Sequence, residues 1–398
     1  MIGALRRRTE GLTQWQRRNN WTKSLEVQQE YELFCDAQFD VIKIPRKRRS
    51  GPIPHQISLL SCSSNGKYLA IGYKTGAILI LNLRTDKIFG RASASGGLTT
   101  LHFHPERDDQ FLTTSRFNAE VVSWRIHPKG TTTAVKWKRP REMIGFECYR
   151  ISAAFVGADE VVIGIHTELK IWSERTNESV TLASTKPCSN LVIAVIVDRC
   201  GIDCITAVQM GVKCSAGRVE AGTAMNEKKL GRVQYWPDFR TFPPQLKREK
   251  FNLILNRVKI KNQHRFVVSK DFRRLSCIVQ TSACPRSRIL KVVSIAPGDR
   301  GTVLWEHPFH NIASCALSPS AHQIMVGFKL FPHEEELIRI YRVHDKSGPV
   351  KCIHGNSEAE FIKLPAVQFL PFSGWGIIYA TSEGRLKRIQ PRLNRVGS

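Results

Sequence analysis

Short apolar runs separated by polar turns recur along this chain, and LTTLHFHPERDDQFLTTSRFNAEVVSWRI, Leu98 to Ile126, shows the unit. LTTLHF reads as a strand, HPERDD as a turn, QFLTTS as a second strand and AEVVSWRI as a third with period-two alternation. The pattern recurs upstream in ISLLSCSSNGKYLAIGYKTGAILILNLR, where Asn65-Gly66 and Lys74-Thr75-Gly76 supply hairpin turns, and downstream in RISAAFVGADEVVIGIHTELKIWS. Third-strand positions Leu81, Trp124 and Trp172 are spaced by 43 and 48 residues. Towards the C-terminus the same triplet returns in HRFVVSKDFRRLSCIVQ with SRILKVVSIA, in IASCALSPSAHQIMVGF with ELIRIYRV, and in LPAVQFLPFSGWGIIYATSEGRLKRIQ. There Val293, Ile340 and Ile389 repeat at 47 and 49 residues. A period of roughly 40 to 50 residues is that of a propeller blade.

The 121 residues between Trp172 and Val293 hold two such periods with roughly 27 residues to spare, so one further blade with an insertion fits there. Its first two strands are expected in NLVIAVIVD and DCITAVQ, followed by GVKCSAGRVEAGTAMNEKKL as a loop, with GRVQYW and FNLILN as third and outer strands. Seven blades result. The last one runs out of chain after Gln390, and an open ring would expose a sheet edge, so its outer strand is expected from FDVIKIP, Phe39 to Pro45. The expected plan is an all-β, seven-bladed β-propeller with a short N-terminal helical extension. It divides into a basic amphipathic extension (1–38), a first half with the closing strand and blades one to four (39–210), an insertion with the uncertain strands of blade four (211–250), a second half with blades five to seven (251–391) and a tail (392–398).

In the extension, Ile2, Leu5, Leu12 and Trp15 fall on one helical stripe with Arg6, Arg7, Arg8, Arg17 and Arg18 around the rest. Gly3 and Gly11 each weaken such a helix by about 1 kcal/mol relative to Ala. A free helix of about 20 residues is marginal in water and needs an apolar surface, either the ring's own underside or a partner's groove. SLEVQQEYELF, which follows, fits a helix through Val27, Tyr31 and Phe34 or a strand through Leu25, Val27, Gln29, Tyr31 and Leu33.

Charge changes the picture of partners. Sixty Lys and Arg against 34 Asp and Glu give a formal net charge of +26, which favours acidic proteins, nucleic acid or anionic membrane. Eleven scattered cysteines and no cationic start leading into an apolar run point to a reducing compartment, cytosolic or nuclear. The longest apolar stretch, LVIAVIVDRCGIDCITAV, is broken by Asp198, Arg199 and Asp203 and reads as two buried strands rather than a membrane span.

Candidate chemistry is sparse. No phosphate-binding glycine loop, HExxH helix or nucleophile elbow occurs, which argues against the common enzyme classes and leaves no cofactor to assign. Cys188, Cys200, Cys204 and Cys214 lack the CxxC hairpin of a zinc site and read as small buried residues, so no metal is assigned. His102 and His104 stand two apart at a strand end, where His104-Pro105 opens a turn, and His307 and His310 flank Pro308 and Phe309 in an expected loop. Trp124, Trp172 and Trp305 read as strand-packing aromatics rather than platforms for bases. The basic run Arg46, Lys47, Arg48, Arg49 fits a nuclear-localisation or nucleic-acid patch as well as a solvated linker.

The blades resemble divergent WD repeats, with Trp124-Arg125 and Trp172-Ser173 where the family has its Trp-Asp pair and no Gly-His pair opening a blade. The divergence predicts that most blades lack the family's structural hydrogen-bond tetrad. LTTLHFHP with AEVVSWRI, AAFVGADEVVIGIHTELKIW, ASCALSPSAHQIMVGF and VQFLPFSGWGIIYATSEGRLKRIQP are similar to the propeller of the Ambra autophagy proteins (activating molecule in beclin-regulated autophagy), whose WD-repeat region is split by a long insertion. That resemblance implies a non-enzymatic substrate receptor of a cullin-RING ubiquitin ligase, with the ligase adaptor, ubiquitination substrates and autophagy regulators as partners. Carried over by position, Leu5, Leu12 and Trp15 would face the adaptor. The family's disordered insertion and tail have no counterpart in this chain. Two other readings stand beside this one: a basic scaffold of a ribonucleoprotein or RNA-processing assembly, holding phosphates on the positive surface, and a hydrolase with a central-channel site, for which no acid, base and nucleophile can be placed together.

Overall fold

The structure, a computed structural model, describes residues 37–42, 57–115, 118–137, 151–155, 159–165, 168–184, 191–198, 204–210, 232–236, 249–251, 266–269, 274–280, 288–294, 302–328, 336–345, 348–354, 366–371, 376–381, 384 and 386–391. These residues form strands and turns, and the strands assemble into seven four-stranded antiparallel sheets.

The closing strand β1 (Ala37–Ile42) comes first in the chain. Blade one is β2 (Ile57–Cys62), β3 (Tyr68–Tyr73), β4 (Ala77–Asn82) and β5 (Lys87–Ser93), and blade two is β6 (Leu98–Phe103), β7 (Gln110–Ser115), β8 (Glu120–Ile126) and β9 (Thr132–Lys136). Blade three is β10 (Ile151–Phe155), β11 (Glu160–Ile165), β12 (Glu168–Ser173) and β13 (Ser179–Ser184), and blade four is β14 (Leu191–Asp198), β15 (Cys204–Met210), β16 (Arg232–Trp236) and β17 (Glu249–Phe251). Blade five is β18 (Phe266–Val268), β19 (Arg274–Gln280), β20 (Arg288–Ser294) and β21 (Val303–Phe309), and blade six is β22 (Ile312–Leu317), β23 (Gln323–Phe328), β24 (Glu336–Arg342) and β25 (Pro349–His354). Blade seven is β26 (Ala366–Phe369), β27 (Ile377–Ala380) and β28 (Leu386–Pro391), completed by β1, with Phe39 opposite Ile389. The ring is therefore closed by its own N-terminal strand, and inner strand β26 packs on inner strand β2 across the closure. The closing strand starts two residues before the expected Phe39.

Burial follows radius. Every residue of β3, β7, β23 and β27 is buried, whereas β9 exposes four of its five residues. These second strands have a blade packed on each face, so their sequences are almost wholly apolar, as in YLAIGY and, after its opening glutamine, QIMVGF. The period-two alternation remains, but it sorts side chains between two neighbours instead of between core and water. Tyr68, Ala70, Ile78 and Ile80 pack towards blade two with Leu101, Phe111 and Trp124, while Leu69, Ile71 and Leu81 pack towards blade seven with Ile378 and Leu386. In AEVVSWRI, Ser123 is accordingly buried in β8 along with Val121, Val122 and Trp124, while Arg125 is exposed.

The outer strand of blade four is described over Glu249–Phe251, pairing with Val233–Tyr235, and the rest of the expected FNLILN lies outside the described residues. One expectation needs correcting: His307, Pro308 and Phe309 lie in β21, not in a loop. Pro308 is tolerated there because β21 is an outer edge strand, where a missing N–H leaves no ladder bond unmade. Alternation along β21 sends Trp305, His307 and Phe309 to one side, against Tyr341 at centroid distances of 5.2, 5.3 and 5.7 Å. The expected loop GVKCSAGRVEAGTAMNEKKL and the N-terminal helix lie outside the described residues.

Candidate functional site

A propeller offers its partners the turns at its two ends. At one end lie the connections from inner to second strand and from third to outer strand, and here polar side chains tie blade to blade. Asp108 Oδ1 accepts from Ser64 Oγ at 3.0 Å and from the Asn65 backbone N–H at 2.9 Å, joining the first turn of blade two to that of blade one. The Arg107 guanidinium donates to Asp159 Oδ1 of blade three at 3.0 Å. Gln110, buried at the start of β7, donates through Nε2 to Ser123 Oγ at 3.1 Å and to Glu174 Oε2 of blade three at 2.8 Å. Partial burial, and then the nearby Asp159 carboxylate, push the Glu174 carboxyl above its ordinary range despite the bonds that oppose the shift. At the closure, Arg388 Nη1 and Nη2 grip the two oxygens of Asp86 at 3.0 and 2.9 Å, and Nη1 also reaches Leu83 O at 3.2 Å. In the second half of the ring Arg274 donates to Ala321 O, linking blades five and six.

The turns themselves are built by side chains that replace backbone partners. His104 is fully buried, stacks near Phe155 at 4.7 Å, and accepts the Glu106 and Arg107 N–H groups on Nδ1 at 3.1 and 3.0 Å. It is thus the cap of a turn. Asn65 Oδ1 accepts the Lys67 N–H at 2.8 Å in the Asn-Gly hairpin. At the opposite end of the ring, Gly76 has φ +94°, and a Cβ there would stand 2.2 Å from Ala94 O, so only glycine lets this turn meet the linker to blade two. Beside it, burial raises the Glu120 carboxyl, but bonds from Lys136 Nζ at 2.9 Å and the Ser95 N–H at 3.0 Å outweigh this and hold it below its ordinary value.

This arrangement is suited to holding loops still. The charged and hydrogen-bonding groups at the seams are spent on one another, and among the described residues no group of three or more His, Cys, Asp or Glu could hold a metal. Trp124, Trp172 and Trp305 are buried packing residues. Of the four clustered cysteines, Cys204 starts β15, while Cys188, Cys200 and Cys214 lie outside the described residues. So do Leu5, Leu12 and Trp15 and the basic run Arg46, Lys47, Arg48 and Arg49. No helix among the described residues is long and apolar enough to cross a membrane. The seam residues Asp86, Arg107, Asp108, Gln110, Asp159, Glu174 and Arg388 were not legible beforehand. They pair across blades, and the only hint was a polar residue opening an otherwise apolar second strand, as Gln110 does in QFLTTS.

No protein-family model matches the sequence, and no curated protein does. Solved structures do. The β-propeller domain of Cps50 (Swd1) from Myceliophteria thermophila is 14% identical and superimposes with a TM-score of 0.56 over 87% of this chain and 99% of that one. The fold is that of a WD40 β-propeller. The WD40 repeats of RRP9 superimpose with a TM-score of 0.58 at 10% identity, over 89% of this chain and 97% of theirs. At such identities the likeness establishes the WD40 architecture alone, and the Ambra resemblance rests on the strand motifs quoted above. In blade two, Trp124 Nε1 of the third strand donates to Thr113 Oγ1 of the second at 2.9 Å, with both residues buried. In blade three the equivalent Trp172 Nε1 instead donates to Asn177 Oδ1 in its own outer turn at 3.0 Å.

Proposed function

We propose that this WD40 scaffold works without catalysis, as a substrate receptor of a cullin-RING E3 ubiquitin ligase that acts on autophagy regulators in the cytosol or nucleus. The observation that carries the scaffold part is the set of cross-seam links, Asp108 to blade one, Arg107 and Gln110 to blade three and Arg388 to Asp86, which present the turns on a stiff ring. A rigid frame with loops at its ends suits protein recognition. The ligase part is supported by the quoted strand motifs and by the amphipathic pattern of Leu5, Leu12 and Trp15, which fits the groove of an adaptor.

The test is a binding assay between the full chain and the cullin-RING adaptor, beside a chain lacking residues 1–24. Tight binding lost on truncation supports the receptor reading and gives the N-terminal stripe its task. Absence of binding by either chain removes it. A second reading, a ribonucleoprotein scaffold, is favoured by the distribution of charge. The described strands and turns are close to charge-balanced, so most of the +26 belongs to other segments, including Arg6–Arg8 and Arg46–Arg49. RNA binding through those segments would show a salt slope of about one logarithmic unit for each phosphate contacted.

A further inference from the structure

The outer strand of blade one carries a feature that neither the seams nor the turns explain. β5 is bulged: Ile80 faces Gly90 and Leu81 faces Ile88, which leaves Phe89 as the extra residue. Against this bulge sits the third-to-outer turn of blade two. A Cβ on Gly90 would meet Gly130 O at 2.7 Å, and one on Gly130, whose φ is +79°, would meet Phe89 O at 2.0 Å. The two glycines bring backbone against backbone and leave a groove of 610 Å³ whose lining includes the half-buried Phe89, packed on the blade-two side, and Ile88, packed on the blade-seven side.

The cations along the groove are uncompensated. Lys87 and Arg91 line it, Arg84 and Lys129 stand within two residues of its lining at Asp86 and Gly130, and all four are exposed with no ion-pair partner among the described residues. The groove's carboxylate, Asp86, does not offset them, because the Arg388 guanidinium already holds both its oxygens. A half-buried aromatic ring beside uncompensated cations is complementary to an apolar anchor flanked by carboxylates. β5 is seven residues long, or about 23 Å at 3.3 Å per residue, the span of a short extended segment.

We propose that this rim groove docks an acidic linear segment of a partner protein, with an apolar residue seated on Phe89 and Asp or Glu on either side meeting Lys87, Arg91, Arg84 and Lys129. The segment lies in the groove by its side chains and does not extend the sheet, since Thr132 Oγ1 already donates to Arg91 O at 2.9 Å and blunts that edge. A nucleic acid fits less well. The Phe89 ring packs against Tyr68 at 5.1 Å, which leaves it no second face for a stacking base.

The proposal rests on the scaffold reading and not on the ligase, and its assay contains no adaptor, so the two fail separately. The probe is a fluorescein-labelled octapeptide, Asp-Glu-Asp-Leu-Phe-Asp-Glu-Asp, titrated with the full chain and followed by anisotropy. Saturable binding is expected, weakened about tenfold or more in the double variant Lys87→Glu/Arg91→Glu, because two rim charges then repel the peptide. Lys74→Glu, an exposed charge reversal at the far end of blade one, should leave binding within about twofold. Replacing Leu-Phe in the peptide by Ser-Ser should cost about fivefold or more from lost apolar burial. Unchanged binding in the double variant, equal loss in Lys74→Glu, or no loss with the Ser-Ser peptide overturns the proposal. So does a labelled ten-nucleotide uridine RNA that binds more tightly than the peptide and loses affinity in the same double variant. A thermal melt of each variant shows that the ring is intact, because all three substituted positions are exposed.

Discussion

Closure of the ring should depend unequally on the two partners that latch it. The Arg388 side chain is 10% exposed and that of Asp86 41%, and the pair is bidentate with a third bond to Leu83 O. Arg388→Ala removes bonds to a charged acceptor, a loss of about 1.5–3 kcal/mol, but leaves a carboxylate that water can reach. Asp86→Asn leaves a guanidinium that water reaches poorly, and removing one partner of a buried pair costs about 3–5 kcal/mol. Asparagine is the right replacement because Asp86 has φ +53°, a region in which Asn is tolerated and Ala strained. Unfolding entropy of about 2.1 cal/mol/K per residue makes 1 kcal/mol equal to about 1.2 °C in Tm for a chain of 398 residues unfolding as one unit. The expected falls are therefore about 2–4 °C for Arg388→Ala and about 4–6 °C for Asp86→Asn, with the double variant close to Arg388→Ala alone, because the stranded charge is gone. Differential scanning calorimetry resolves these differences. Additive losses in the double variant, or a smaller loss for Asp86→Asn than for Arg388→Ala, would refute the latch.

Two further outcomes follow from buried polar groups. Thr113→Val keeps shape but strands the Trp124 indole N–H inside the seam between blades one and two, so a loss of about 1–3 kcal/mol is expected in calorimetry, whereas Trp124→Phe combined with Thr113→Val should cost less than the two single changes added together. Glu174→Gln should stabilise the protein at neutral pH and not below about pH 4: a carboxyl raised by folding contributes most stability below its unfolded value and loses it as pH climbs to the folded value, and glutamine has no such loss. Equal Tm changes for Glu174→Gln at both pH values would contradict the burial argument.

What the sequence disclosed and what it hid divide along a physical line. Strand period, turn residues and blade spacing are local, so the hairpins at Asn65-Gly66 and Lys74-Thr75-Gly76 and the third strands at Trp124 and Trp172 were legible. The closing strand was legible by a count of strands, because a ring with an unpaired last blade is unfavourable. Pro308 misled because a proline in an apolar run signals a loop unless the strand is at an edge, and edge position is a property of the sheet and not of the run. Asp86 with Arg388, 302 residues apart, and Arg107 with Asp159 carry no local signature at all. Each looks like a charge in a turn, and only the ring gives it a partner.

The same division bears on where function sits. Second strands have no free face, since both are packed on neighbouring blades, and seam polar groups are occupied with one another. A partner is left the outer edges, the turn surfaces and the segments between strands, and the excess positive charge lies mostly in that last set. The groove on β5 belongs to the first set and places uncompensated cations beside the half-buried Phe89 where blades one and two meet. Its partner contacts come from residues that the ring does not need for closure, Lys87, Arg91, Arg84 and Lys129. The one groove residue that closure does need, Asp86, is neutralised by doing so. Stability and recognition are thus assigned to different side chains in the same turn, and charge reversal at Lys87 and Arg91 should separate them where a change at Asp86 would not.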